Sequence, residues 1–291
     1  MATTARPTIL TAVPVGFAPD GTVDYGASRR ILEFVAASGT DGAFILGSTG
    51  EFPALSPAER RTLAQAGLEA FRDKRIVVHV GAPSLFQVKE HLADVAALGG
   101  REVAVITPYY LPASDDAIFE FYREVASSAW DLEVYVYLFA ARTGNAVSPG
   151  LLARLAGIKG ITGAKISGET LATVDLYRAA VPPEFELLTG ADRDLRFVTE
   201  HGINGVVSGV ASAFPEPFVA MAGAIERNDR LQADGLQDDV NTVVDLTQGD
   251  PERLKVALSL RGIDAGTSRM ALDPVNEAMR SALAQAVARY S

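Results

Sequence analysis

The chain has no cysteine, one tryptophan, three histidines and only five lysines in its 291 residues. Without cysteine there is no disulfide framework and no thiolate metal site. His79, His91 and His201 stand far apart and match no metal-ligand spacing, so all three read as structural. No uninterrupted apolar run reaches the roughly 20 residues that a membrane-crossing helix needs. The opening run, Met1 to Pro7, lacks the apolar core of a signal peptide. A reducing cytoplasm is compatible with these absences. Basic residues are also short, with 26 Lys and Arg against 36 Asp and Glu and a net charge of −10. That balance argues against a nucleic-acid partner, which requires a basic face. It does not exclude a small anionic substrate, because a local basic pocket can hold an anion within an acidic protein.

Hydrophobic residues make up 48% of the chain, enough for a sizeable core. Short β-rich runs recur at 8–13, 42–46, 76–80, 102–106, 133–138, 160–165, 185–188 and 205–208. Amphipathic helical patterns at 58–71, 86–98 and 116–129 fall between them. Strands alternating with helices imply parallel pairing through right-handed crossovers. Eight such units predict a closed (β/α)8 barrel rather than an open sheet. Ser56-Pro57-Ala58-Glu59 carries a capping serine, a proline at the first helical position and a glutamate three residues on. Ser148-Pro149 reads as another helix start. Beyond Ser212 the strand signals fade, and 215–227, 230–246, 251–260 and 274–290 read as helices. The reading is one domain, with the barrel at about 1–212 and a C-terminal helical extension at about 213–291.

Lys165 sits near the end of the run Ile161-Thr162-Gly163-Ala164-Lys165-Ile166-Ser167-Gly168. Side chains alternate across a strand, which predicts that Ile161, Gly163 and Lys165 share a face and that Gly163 leaves space beside the lysine. Full burial disfavours an ammonium and lowers its pKa by roughly 3–5 units. A neutral amine is a nucleophile able to form a Schiff base with a carbonyl compound. A strand-end lysine can equally snorkel to solvent, so the surrounding motifs carry weight.

In a barrel of this type the chemistry lies where strands end. The second strand ends in Gly47-Ser48-Thr49-Gly50-Glu51. Its glycines let the backbone approach a ligand, and adjacent amides there can hold a carboxylate. A plain strand-to-helix turn is the competing reading, and the motif lacks the lysine of a phosphate loop. The fourth strand ends in Thr107-Pro108-Tyr109-Tyr110. The fifth contains Tyr135 and Tyr137 on one face; Tyr135 reads as core, whereas Tyr137 and Tyr110 stand at strand ends where a phenol can pass a proton. Arg142 follows, either solvated or offering a planar fork to a second carboxylate. An amine, a carboxylate cradle, hydroxyl proton carriers and a guanidinium together suit 2-oxo acid chemistry, with the imine as electron sink and no metal or cofactor required.

At these residues the chain resembles the dihydrodipicolinate synthase and N-acetylneuraminate lyase superfamily, the pyruvate-dependent class I aldolases. The likeness rests on Gly47-Ser48-Thr49-Gly50-Glu51, Thr107-Pro108-Tyr109-Tyr110, Tyr137 with Arg142-Thr143-Gly144, Gly163-Ala164-Lys165 with Ser167-Gly168, and Thr189-Gly190, and it spans nearly the whole chain. It implies a TIM barrel and a homotetramer built from dimers. It implies Lys165 as the Schiff-base residue and Tyr137 as a proton relay. It implies that Ser48 links Tyr137 to Tyr110, the latter reaching in from a neighbouring subunit. Pyruvate would lie with its carboxylate on the backbone of Ser48 and Thr49, and the main chain of Val207 would line the site.

Two departures bear on the second substrate. After Tyr137, most synthases of the superfamily have an asparagine, then a proline two residues later; here the run is Leu138-Phe139-Ala140-Ala141, which predicts an apolar pocket wall made by Leu138 and Phe139. Glu51-Phe52-Pro53 is similar to aldolases acting on hydroxy-oxo acids, whereas Arg142 is similar to the arginine with which synthases bind an aldehyde's carboxylate. The leading expectation is a lyase that cleaves or forms a 4-hydroxy-2-oxo or 2-keto-3-deoxy acid from pyruvate and an aldehyde. The alternatives are 4-hydroxy-tetrahydrodipicolinate synthase, acting on pyruvate and aspartate semialdehyde, and a sugar-acid dehydratase using the same imine. A barrel that binds an oxo acid without turning it over is a further alternative from a different class.

Overall fold

A computed structural model describes residues 5–291; Met1 to Thr4, part of the run read as lacking a signal peptide, lie outside the described residues. Eight parallel strands close into a barrel in sequence order, β1 pairing back to β8. They are β1 (Thr8–Ala12), β2 (Gly42–Ile45), β3 (Arg75–His79), β4 (Glu102–Ile106), β5 (Glu133–Leu138), β6 (Ile161–Ile166), β7 (Glu186–Thr189) and β8 (Gly205–Ser208). The helices are α1 (Tyr25–Ala37), α2 (Pro57–Ala70), α3 (Leu85–Ala97), α4 (Asp115–Ser128), the short α5 (Ala140–Thr143), α6 (Pro149–Ala156), α7 (Leu171–Ala180), α8 (Pro215–Glu226), α9 (Arg230–Thr247), α10 (Pro251–Leu260) and α11 (Glu277–Tyr290). No α-helix bridges β7 and β8, where a 3-10 turn at Asp192–Asp194 begins the connection. Among the described residues no helix is long and apolar enough to cross a membrane.

Local chemistry explains the helix starts. Ser56 and Glu59 form the reciprocal capping box, Glu59 N donating to Ser56 Oγ at 3.3 Å and Ser56 N to Glu59 Oε2 at 2.7 Å. Ser148 caps α6 with its side chain alone, accepting from Leu151 N at 3.1 Å. In α4 the buried residues Ile118, Tyr122 and Val125 fall on one stripe at spacings of four and three, which turns that face to the barrel. The last helix starts at Glu277 rather than 274, because Asn276 Oδ1 accepts from Met279 N at 2.8 Å and caps the chain there. The helix read as the start of the C-terminal extension, α8, packs against β1 and so continues the barrel's outer ring.

Two apolar layers follow from strand alternation. Outward residues such as Val78, Val105, Val136 and Leu187 pack beneath the helices. Inward residues, among them Leu10, Phe44, Val77, Ile106, Tyr135 and Leu188, fill the barrel. Its N-terminal end is closed by charge. Arg75 Nη2 donates to Glu102 at 2.7 Å, to Glu186 at 2.6 Å and to the Tyr135 hydroxyl at 2.8 Å. Despite burial, hydrogen bonds from Arg75 and Tyr135 hold the Glu186 carboxyl below its ordinary pKa.

One irregularity corrects the alternation expected in β6. Val134 pairs with Ile161, but the next residue, Tyr135, pairs with Gly163. Thr162 is thus an extra residue, a bulge that moves Ile161 to the outer layer. Only Gly163 and Lys165 of the expected trio face inward. The space at Gly163 is not left for the lysine either. A Cβ there would lie 2.4 Å from Tyr135 Cε1 and 2.7 Å from the Glu186 carbonyl, so the Tyr135 ring occupies it.

Candidate active site

Tyr137 and Lys165 are the next-to-last residues of neighbouring strands and face each other directly across the ladder. Both point into the open, C-terminal end of the barrel, the end where enzymes of this architecture react. The Lys165 side chain is nearly enclosed, the residue being 7% exposed. Its Nζ stands 4.0 Å from the centre of the Tyr137 ring and 5.8 Å from that of Phe139, and it donates to Ser167 Oγ. Ser48 Oγ and the Tyr137 hydroxyl lie 3.3 Å apart. Burial pushes the phenol's pKa up, but the Lys165 charge and hydrogen bonds with Ser48, Lys165 and Ser167 outweigh it, leaving Tyr137 below its ordinary value. A phenol that ionises more easily beside an amine can take up the proton the amine must lose before it attacks a carbonyl.

These groups border a cavity of about 720 Å³, which Ser48, Thr49, Arg142 and Val207 also line. In the turn after β2, the amides of Gly50 and Glu51 bond to Gly47 O and Ser48 O, at 3.1 Å each. Among the described residues those of Ser48 and Thr49 donate to no protein acceptor. Two adjacent unpaired amides at a mouth lined by hydroxyls have the geometry to hold a carboxylate. Arg142, on α5, is exposed at the rim with its guanidinium 5.5 Å from the centre of the Phe139 ring. Phe139 itself stacks on Tyr137 at 6.2 Å. Of the expected pair only Phe139 lines the cavity: Leu138 faces outward and packs beneath the helices, as alternation along β5 requires.

Tyr110 is not brought to the lysine within one chain. It is 90% exposed, at a left-handed backbone position (φ 79°), on the loop after β4. Its neighbour Leu111 is 70% exposed.

One site residue escaped the sequence reading. Asp192, after β7, lines the cavity, and its Oδ1 is enclosed without a hydrogen-bond partner among the described residues. Burial pushes its pKa up to about 7, against the opposing pull of Ser208, Lys165 and Arg193. The residue as a whole is only half-buried, so it is the carboxyl tip that lies in the interior. A carboxyl raised this far by burial holds its proton more readily than a surface aspartate, and in that form it can donate as well as accept. The only signal was an acid two residues past Thr189-Gly190. His79, read as structural, lies inside the barrel against Phe52 and Tyr137, with ring centres at 4.5 and 5.8 Å. Burial drives its pKa well below 6.5, so the imidazole is neutral. Its Nδ1 carries the proton, because the partner at 2.9 Å is the Leu46 carbonyl, an acceptor only.

Gly190 sets the position of the amine. A Cβ there would lie 2.5 Å from Ser167 Oγ and 3.2 Å from Lys165 Nζ. Gly190→Ala is expected to keep the fold and to slow covalent capture of a 2-oxo acid by roughly tenfold to a hundredfold, as displacing a reacting group by about 1 Å does. Single-turnover trapping measures this; an unchanged rate contradicts the tight fit.

Comparison with known proteins agrees with this geometry. The model of the dihydrodipicolinate synthetase family matches residues 6–290. An uncharacterized DapA-like lyase of Halobacterium salinarum is 35% identical over 282 residues, covering 94% of this chain and 91% of that protein. The 4-hydroxy-tetrahydrodipicolinate synthase of Parasynechococcus marenigrum is 30% identical over 284 residues, covering 96% and 94%. Among solved structures, YagE of E. coli K12, a prophage protein of the dihydrodipicolinic acid synthase family determined in complex with pyruvate, superposes with a TM-score of 0.88 at 26% identity, covering 98% of both chains. With a match that runs almost from end to end, the chain belongs to the dihydrodipicolinate synthetase family, a family of lyases.

Proposed function

We propose that the protein is a class I lyase that cleaves or forms a 4-hydroxy-2-oxo or 2-keto-3-deoxy acid through an imine at Lys165. The observation that carries this reading is the enclosed amine, 4.0 Å from the Tyr137 ring, at a cavity mouth that also holds two unpaired amides. In the cleavage direction the substrate's carboxylate sits on the Ser48 and Thr49 amides. Lys165 attacks the C2 carbonyl, and loss of water leaves an iminium. A base, assigned to Tyr137, removes the proton of the C4 hydroxyl. The C3–C4 bond breaks, its electrons pass to the iminium, and an aldehyde leaves. Protonation of the enamine at C3 and hydrolysis release pyruvate and the free lysine. The imine is the electron sink, so the chemistry calls for no metal or cofactor.

The carboxyl of Asp192 supports a hydroxylated partner, since it lines the cavity with an enclosed oxygen free to bond to a hydroxyl. Arg142 at the rim favours a second reading, 4-hydroxy-tetrahydrodipicolinate synthase, because a guanidinium fork suits the carboxylate of aspartate semialdehyde. A sugar-acid dehydratase would use the same imine. The exposed Tyr110 and Leu111 support assembly as a homotetramer in which Tyr110 enters a neighbouring site. A chain free of cysteine fits action in the cytoplasm.

The test is a screen of aldehydes with pyruvate, and of hydroxy-oxo acids in the reverse direction. Fastest turnover with hydroxylated aldehydes is expected. Rapid turnover confined to aspartate semialdehyde would move the synthase reading to first place. Binding of pyruvate with neither turnover nor exchange of its methyl protons in D₂O would mark a binding protein.

A further inference from the structure

The turn bearing Ser48 and Thr49 is flanked by two non-glycine residues in the left-handed region, Leu46 (φ 59°) and Glu51 (φ 52°). Such positions persist only where the surroundings hold them. Leu46 is held by His79 through its carbonyl. Glu51 is held by its own side chain, which is 0% exposed. Its Oε1 accepts from Lys255 Nζ at 2.6 Å, and its Oε2 accepts from the backbone amides of Arg269 at 2.9 Å and Met270 at 2.7 Å. Lys255, 1% exposed, also donates to the Thr267 carbonyl at 2.8 Å. Arg269 reaches across the same turn, donating to Ala54 O at 2.6 Å and to Glu59 Oε1 at 2.8 Å. The segment 266–272 thus lies over the barrel mouth, and its residues Met270 and Leu272 line the cavity.

We propose that Glu51 is a positioning residue: its buried carboxylate, held by Lys255 and the 269–270 amides, locks the turn so that the Ser48 and Thr49 amides face the substrate carboxylate, and it makes the C-terminal segment part of the binding site. This rests on the reading that those two amides hold a 2-oxo acid. A carboxylate so deeply enclosed requires the ammonium and the two amides together, since a buried charge without such partners is strongly disfavoured. Burial of both partners and the two backbone donors exceeds what holding a surface helix would need. Neither group touches the reacting carbonyl; Glu51 acts through the turn.

The test is kinetic and structural on the full chain. Glu51→Gln keeps the shape and removes the charge; Glu51→Gln with Lys255→Met removes both charges and covers the case in which the single variant does not fold. The apparent KM for pyruvate in methyl-proton exchange is expected to rise tenfold or more, with the rate at saturation changing less than about threefold. Hydrogen exchange is expected to quicken together in 47–52 and 266–272. A purely structural pair would lower the number of active molecules, and so the saturated rate, without moving KM; that result overturns the proposal, as does unchanged exchange in the turn. If wild-type protein forms no imine with pyruvate, the functional reading fails on its own, and the exchange data alone decide whether Glu51 couples turn and segment.

Discussion

Replacing Lys165 with alanine is expected to reduce turnover to the uncatalysed background while leaving the fold intact. Class I chemistry has no route around the amine, because every later step draws its electrons into the imine. A loss of ten-thousandfold or more corresponds to about 5.4 kcal/mol of barrier. The fold should survive, since the amine's neighbours are the Ser167 and Tyr137 hydroxyls and two aromatic faces, and among the described residues no carboxylate is paired with it in a hydrogen bond. The cradle formed by Ser48 and Thr49 is untouched, so pyruvate should still bind non-covalently. Lys165→Arg sharpens the comparison: the charge stays but the nucleophile is lost. Substantial activity in either variant, measured by aldehyde release, would contradict the assignment.

Tyr137→Phe is expected to lower kcat by roughly a hundredfold to ten-thousandfold, the range for loss of a general acid–base group. The ring and its stacking against Phe139 remain, so stability and the enclosure of Lys165 should change little. The phenol carries a pH signature as well. Its pKa lies below the ordinary value near 10, through the Lys165 charge and the hydrogen bonds with Ser48, Lys165 and Ser167. In the condensing direction, where the protonated phenol gives its proton to the new C4 oxygen, wild-type activity should fall as the pH rises through that lowered value; in cleavage, where the ionised phenol is the base, it should rise, and either limb should be absent from the phenylalanine variant. A full-rate variant, or one that keeps the limb, removes Tyr137 from the reaction.

Much of the barrel was legible because each strand is a short apolar run bounded by turn residues, and the eight runs read from sequence correspond one to one with the eight strands. Lys165 beside Tyr137 was legible because each falls near the end of such a run. What stayed hidden depended on partners distant in sequence or on one-residue irregularities. The bulge at Thr162 leaves no mark in composition, yet it decides which face Ile161 takes. Gly163 read as room for the lysine because the chain does not reveal that the Tyr135 ring lies against it. Leu138 and Phe139 both depart from the family pattern after Tyr137, but neighbours in a strand face opposite ways, and only Phe139 reaches the pocket. The pairing of Glu51 with Lys255 spans 204 positions and carries no local pattern. Asp192 draws its raised pKa from burial, which a sequence motif does not encode.

The most direct measurement is to incubate the protein with pyruvate, reduce with borohydride and map the adduct by peptide mass. The expected result is one reduced pyruvyl group per chain, on the peptide containing Lys165, and none in Lys165→Ala. No adduct, or an adduct on a different lysine, would contradict the enclosed amine as the nucleophile.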